Sequence, residues 1–340
     1  MFAKRHPTRD TRSGSSMAAV ARRMGAAVCL MVLAGAAGAQ AWPSKTIRIV
    51  NGFPPGGTID LAARLLAEQL SERFEPRAIV ENKPGAAGIL AAEYVARAPA
   101  DGYTLFLMPS AHTTAPGMHS TLPYNPVDDF TMISLVGNSP LALAVASSSA
   151  FASLRDLIEG ARAKPGMIAY STGGVGSVPH LVAVLLEAGT GTRMNHIPYK
   201  GGNAHLVAAM SGEVAVVFTP VGGLAPFVQG GKLRVLAVST RARYAAMPDV
   251  PTIAEQVLPE FNVGAWYALA GPRNLPTTIV SRLNQEIHSA LERPDVAGKL
   301  RALGVEPWTT TPAEAQKFLS SEVARWTQVI GEAKIAAPAN

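Results

Sequence analysis

Apolar residues fall into short runs separated by glycine, proline and longer amphipathic stretches. The runs at residues 47–51, 78–81, 104–108, 132–136, 141–146, 168–171, 195–199, 214–218, 233–238 and 263–270 read as strands. Several are apolar on both faces, the pattern of a sheet covered by helices on each side. Helical segments lie between them. Ile59, Ala63, Leu66 and Leu70 recur at helical spacing and make one stripe. Ser153 with Asp156 predicts a helix N-cap, and Pro165 with Gly166 predicts where that helix stops. Thr311, Pro312 and Glu314 spell a capping box with proline in the first turn, opening a helix that carries Phe318 and Trp326. Strand–helix alternation of this kind predicts an α/β fold with mixed, mostly parallel sheets and helices on both faces. No low-complexity linker interrupts the chain, so two lobes have to be joined by strands that cross between them. The runs at 141–146 and 263–270 are the crossing candidates. They predict a discontinuous first lobe, residues 42–141 plus 264–340, and a second lobe of residues 142–263.

The first 41 residues differ in kind from the rest. Lys4, Arg5, Arg9, Arg12, Arg22 and Arg23 lead into an apolar run at 24–37, which Ala39, Gln40 and Ala41 close. This order marks a secretory signal peptide cleaved before Trp42 and a mature chain in the periplasm, with Met1 and Met17 both open as start positions. The apolar run falls short of the roughly 20 residues of a membrane-spanning helix. Removing it changes the charge argument. The chain has 30 basic and 24 acidic residues; six basic residues and Asp10 lie in the leader, so 24 face 23 in the remainder. A near-neutral mature chain lacks the basic face that a nucleic-acid partner requires. The one cysteine, Cys29, also lies in the leader. Disulfides and thiol chemistry are therefore not expected after cleavage.

Two glycine loops carry the candidate chemistry. The first contains Phe53, Pro54, Gly56, Gly57, Thr58 and Asp60, between a strand and the helix of the Ile59 stripe. The second contains Ser171, Thr172, Gly173, Gly176, Ser177 and His180, again between a strand and a helix. Glycine lets a backbone approach a bound group, and the N–H groups and dipole of a helix start suit an anion. Ser110 and Thr219 follow strands whose ends should reach the same place. In open α/β sheets, ligands sit beyond the strand ends where such loops meet. Enzyme motifs fail on inspection. Gly52 and Gly57-Thr58 have P-loop spacing without the lysine, and Gly174-Val-Gly176 runs into Pro179 where a dinucleotide fingerprint needs glycine. No nucleophile elbow and no histidine–carboxylate cluster occurs, so neither cofactor nor metal is expected.

These loops resemble those of the Bug family, the periplasmic receptors of tripartite tricarboxylate transporters. The likeness runs in order along the mature chain. It comprises Trp42 to Val50, the Phe53–Asp60 loop, Val80 to Ala86, Asp101 to Leu105, Asp128 to Phe130, Gly176 to Leu181, Pro198 to Gly201, Gly231 to Val238, and Trp266 with Gly271 and Pro272. The resemblance implies a two-lobed Venus-flytrap fold of the type II periplasmic binding proteins. It also implies a monomeric receptor that captures a small, mostly carboxylate ligand without chemistry, and the site residues named above. The partner would be the membrane permease subunits or a sensor kinase. An orphan sensor, or a secreted hydrolase or isomerase using Ser177 and His180, is the alternative. Two departures stand out. Ile89 replaces an asparagine usual in the family, and Ala215 replaces a frequent aspartate. If that aspartate served an ammonium group, Ala215 predicts a ligand without one.

Overall fold

Strands and helices alternate along the chain. In the computed structural model, which describes residues 1, 42–199, 203–333 and 335, β1 (Arg48–Asn51) leads into α1 (Thr58–Arg73). β2 (Ile79–Asn82) leads into α2 (Ile89–Ala96), and β3 (Thr104–Pro109) into α3 (Ala111–Met118). β4 (Phe130–Ala146) precedes α4 (Leu154–Ala163), β5 (Ala169–Thr172) precedes α5 (Val178–Thr190), and β6 (Asn195–Pro198) precedes α6 (Ala204–Ser211). Next come β7 (Val216–Pro220), the short α7 (Ala225–Gln229), β8 (Leu233–Val238), α8 (Ile253–Gln256) and β9 (Gly264–Pro272). The last described elements are α9 (Thr277–Glu292), α10 (Pro294–Ala302), β10 (Glu306–Pro307) and α11 (Pro312–Glu332). Residues 45–340 form a single unit. The leader expected over 1–41, with its cleavage position and Cys29, lies outside the described residues apart from Met1.

Local signals act as the sequence predicts. The Ser153–Asp156 and Thr311–Glu314 pairs close reciprocal capping boxes on α4 and α11. Ile59, Ala63, Leu66 and Leu70 make the buried face of α1.

The strand order is β2-β1-β3-β9-β4-β7-β5-β6, with β8 and β10 also pairing β4. β1 pairs in parallel with β2 and β3, and β5 with β6 and β7. Every pairing of β4 and β9 is antiparallel. Antiparallel pairing has a larger share than strand–helix alternation alone predicts, because two strands run between the parallel halves in opposite directions.

The expected strands at 132–136 and 141–146 are one strand of 17 residues. Gly137, Asn138, Ser139 and Pro140 look like a turn in sequence, yet the backbone stays extended. β4 pairs with β9 as far as Pro140 opposite Gly264, and with β7 from Leu141 opposite Pro220. Pro140, which has no N–H to give, stands where the ladder changes sheets. Ser239, fully buried, secures this point: its hydroxyl accepts the Leu141 N–H at 3.0 Å and donates to the Val263 carbonyl at 2.5 Å. A second tie comes from α11. The indole N–H groups of Trp266 on β9 and Trp326 on α11 both donate to Glu322 Oε2, at 3.3 and 3.0 Å.

The turn after β7 packs backbone against backbone on the end of α10. A Cβ at Gly222 would run into the Leu303 carbonyl and sit 3.4 Å from the Gly304 Cα. Neither neighbour is a flexible side chain. Gly222→Ala is therefore expected to destabilise the protein by about 2 kcal/mol, within the usual range for overpacking. A lowered midpoint in urea with an unchanged slope would record it.

Candidate ligand-binding cleft

The registers fix where the loops lie. β3 ends at Pro109, level with Tyr267 and, through it, with Gly137 of β4. β7 ends at Pro220, opposite Leu141 of β4, and runs the other way. The carboxyl ends of the two parallel sets thus point at each other across the middle of β4. Four residues separate the two levels, about 13 Å at the usual strand rise. The first glycine loop follows β1 at one edge, and Ser110 follows β3 beside it. The second loop follows β5 at the other edge, next to Thr219 in β7.

The first loop is braced from inside. Asn51, fully buried at the end of β1, accepts the Phe53 N–H at 3.0 Å, and Asn82 of β2 donates to the Phe53 carbonyl at 3.0 Å. Asp60 is equally buried. Its carboxylate accepts from Gly56 N–H at 2.9 Å, Asn82 at 2.8 Å, and Arg64 Nε at 2.9 Å. Burial alone would raise the Asp60 carboxyl, but the bonds from Arg64, Gly56 and Asn82 outweigh it and hold it below the ordinary range. Asp60 thus braces the loop through its carboxylate. Pro54, Gly56 and Gly57 are exposed, and Phe53 and Thr58 are partly so. Gly57 occupies the N-cap of α1, where no side chain caps the helix. The first N–H groups of α1 therefore have no intrahelical partner. Among the described residues the hydroxyls of Thr58 and Ser110 have none either.

The second loop is more self-satisfied. Ser171 donates to the His205 carbonyl at 2.9 Å, and Thr219 meets His205 Nε2 at 3.0 Å. Thr172 Oγ1 lies 2.7 Å from His196 Nε2 and accepts the Gly174 N–H at 3.2 Å. Ser177 donates to the Gly174 carbonyl at 2.7 Å and caps α5 by accepting the His180 N–H. The Gly176 N–H is taken by His180 Nδ1 at 3.1 Å. Gly176, expected from sequence to lie at the surface, is buried. Ser177 has no base on it, and the His180 ring serves the loop backbone. The hydrolase geometry does not form. Below the loop the His180 and His196 rings stack 4.0 Å apart, and Tyr170 stacks on His196 at 4.8 Å. Burial, then the neighbouring His196, lowers His180 to about 4; burial lowers His196 to about 4.

Ala215 lies at the wrong end of its strand to meet a ligand. Its N–H bonds to the Ala169 carbonyl, at the amino ends of β5 and β7. The expectation that Ala215 excludes an ammonium group loses its basis. Ile89, by contrast, opens α2 just after Gly88, whose Cα a Cβ at Gly52 would press at 2.7 Å. Asn51, Asn82, Arg64 and His196 were not anticipated. Paired asparagines ending adjacent strands beside a glycine loop were the signal available for the first two.

Comparison with known proteins decides the family. A model described as "Tripartite tricarboxylate transporter family receptor" matches residues 62–335. The chain belongs to this family. It is 33% identical over 302 residues to "Protein BugT" of Bordetella pertussis, covering 88% of this chain and 93% of that one. Among solved structures it is similar to "R. palustris Rpa4515 with adipate", with TM-score 0.78, 35% identity, and coverage of 87% and 99% of the two chains. The similarity to "MatC (Rpa3494) from Rhodopseudomonas palustris with bound malate" has TM-score 0.73, 29% identity, and coverage of 85% and 100%. The fold is accordingly the two-lobed α/β fold of these binding proteins, and the family's members are receptors, not enzymes.

Two predictions follow from the loop chemistry. Asp60→Ala takes the acceptor from the Gly56 N–H and from one of the two bonds of the Asn82 amide, which is expected to cost about 1–3 kcal/mol. A denaturation curve measures it. The histidine stack makes the receptor sensitive to acid. His180 and His196 titrate near 4 when folded and near 6.5 when unfolded, so the unfolded chain binds more protons between those values. Stability is expected to be full above about pH 6.5 and to fall toward pH 4, by at most about 1.4 kcal/mol per pH unit per group. His196→Gln should flatten that fall in a melting series across pH.

Proposed function

We propose that this protein is a periplasmic receptor that takes a small dicarboxylate between its lobes and hands it to the permease of a tripartite transporter. The observation that carries the reading is a pair of glycines for which the described residues give no steric reason. Gly57 has ordinary backbone angles, φ −78° and ψ 166°, and a Cβ there would meet nothing closer than the Pro54 carbonyl at 4.0 Å. Among the described residues, a Cβ at Gly173 would meet nothing within 4 Å. Each lies in one of the facing loops. A bound molecule lying against both backbones accounts for them. The N–H groups at the start of α1 and the positive end of its dipole favour a carboxylate there. The structures of two relatives, one with adipate and one with bound malate, support the same ligand class. The lobe limits 42–141 plus 264–340 and 142–263 accord with the change of partner in β4 at Pro140–Leu141. A monomer suffices for this function.

Gly57→Ser separates binding from folding. Serine at an N-cap bonds the helix's own free N–H groups and stabilises by a few tenths of a kcal/mol. It is expected to leave the melting temperature unchanged or slightly higher while weakening the ligand at least tenfold in calorimetry. Equal affinity would remove the first loop from the site. The ligand class is tested by thermal shift with adipate, malate, citrate, aspartate and nicotinamide. A ligand at about 100 times its Kd stabilises by roughly 2.7 kcal/mol. A shift of several degrees with adipate or malate, and none with nicotinamide, is the expected outcome. A response to the amide alone would sink the carboxylate reading.

A further inference from the structure

Gly176 is buried although it sits in a loop, and what buries it comes from the other lobe. A Cβ at Gly176 would stand 2.8 Å from Met118 Sδ and Cε and 2.9 Å from its Cγ. Met118 is the last residue of α3 and 8% exposed. It belongs to the same apolar cluster as Val178, Leu181 and Val182 of α5 and Trp326 and Ile330 of α11. Behind it, a Cβ at Gly117 would press on Ile330 Cδ1 at 2.8 Å, so α3 is backed by α11. The Glu322 carboxylate in turn fastens α11 to Trp266 on a crossing strand. Packing therefore runs without a break from the crossing strand, through α11 and α3, to the second glycine loop. The Gly176 N–H points into its own lobe, at His180, and its φ of +73° is one that side chains rarely adopt. Both facts suit a surface made for a neighbour to rest on.

We propose that Met118 is a positioning residue: it seats the second glycine loop against the first lobe through Gly176, and so sets the width of the cleft. This rests on the two-lobe receptor reading. The thioether is suited to such a seat, because an unbranched flexible side chain keeps its contact while the surfaces tilt. α3 spans eight residues, about 12 Å. The same helix is preceded by Ser110 at its N-cap, whose hydroxyl has no partner among the described residues, and ends on the opposite lobe. Binding at one end and closure at the other are thus joined by one rigid element.

The chain without its leader has no cysteine. Arg97→Cys and Arg241→Cys, both at exposed positions of different lobes, give a clean dye pair for energy transfer. In ligand-free protein, Gly176→Ala is expected to lower the transfer efficiency by forcing Met118 away. Met118→Phe should do the same from the other side, without touching the backbone at position 176. Combining Gly176→Ala with Met118→Ala should recover efficiency relative to Gly176→Ala alone, because the collision is relieved. The seat is refuted if Met118→Phe leaves the efficiency unchanged. It is also refuted if the double variant recovers nothing, which would put the lesion in the backbone angle. Adding adipate or malate to the parent tests the receptor reading separately. Failure of both to raise transfer counts against that reading and leaves the ligand-free comparison standing.

Discussion

A strand that belongs to two sheets has to carry both ladders in one extended backbone, and the remaining architecture depends on how β4 does this. Its partner changes between Pro140 and Leu141, and Ser239 holds the change in place by bonding Leu141 and Val263 at once. Sliding one lobe along the other would break these bonds together with the ladder. Tilting about them would not. The carboxyl edges of the two parallel sets consequently face each other at a spacing fixed by four residues of one strand. The loops at those edges inherit that spacing, which is why a site can be assembled from segments more than a hundred residues apart.

The electrostatics of the cleft explain why a ligand should link the lobes. Neither glycine loop carries a lysine or an arginine. The one carboxylate, Asp60, is turned inward and bonded by Arg64, Asn82 and Gly56, so its charge is balanced within the first lobe. What these two loops themselves offer an anion is a set of N–H dipoles and a few hydroxyls. Such groups are weak one at a time and act at hydrogen-bond range. A lysine could hold a carboxylate from one side across several ångströms. A set of amides divided between two loops satisfies it only when both are near. On the proposed reading, occupancy would favour the closed arrangement by differential contact, which is the requirement for a ligand to shift a conformational equilibrium.

What the sequence disclosed was local. Ser153 and Thr311 act through bonds to residues three positions on, so their capping boxes were legible, as was the buried stripe of α1. The ordered signatures disclosed the family. The continuity of β4 was hidden, because Gly137 and Pro140 break strands only where a ladder needs their side chain or N–H; here the ladder changes partners at that point. The misplacement of Ala215 has a related cause. A strand's two ends look alike in sequence, and only the parallel pairing with β5 shows which one faces the cleft. The bracing bonds of Asp60 were not legible, since its Arg64 and Asn82 partners come from a helix turn and a neighbouring strand. Met118 had no signal at all. Its meaning lies entirely in the glycine it covers.

Glycine-rich loops are therefore not uniform, and the two here divide by what explains each residue. Gly176 is accounted for inside the protein, by its backbone angle and by the methionine that lies where a side chain would be. Among the described residues nothing would meet a Cβ at Gly173, and a Cβ at Gly57 would meet only the Pro54 carbonyl, at 4.0 Å. Serine at position 57 would even cap α1 better, and a chain selected for folding alone would gain by having it. Keeping glycine there leaves the helix start bare, at a small cost in stability. On the proposed reading a ligand offsets that cost by taking up the N–H groups, with Gly173 in the facing loop as its second surface.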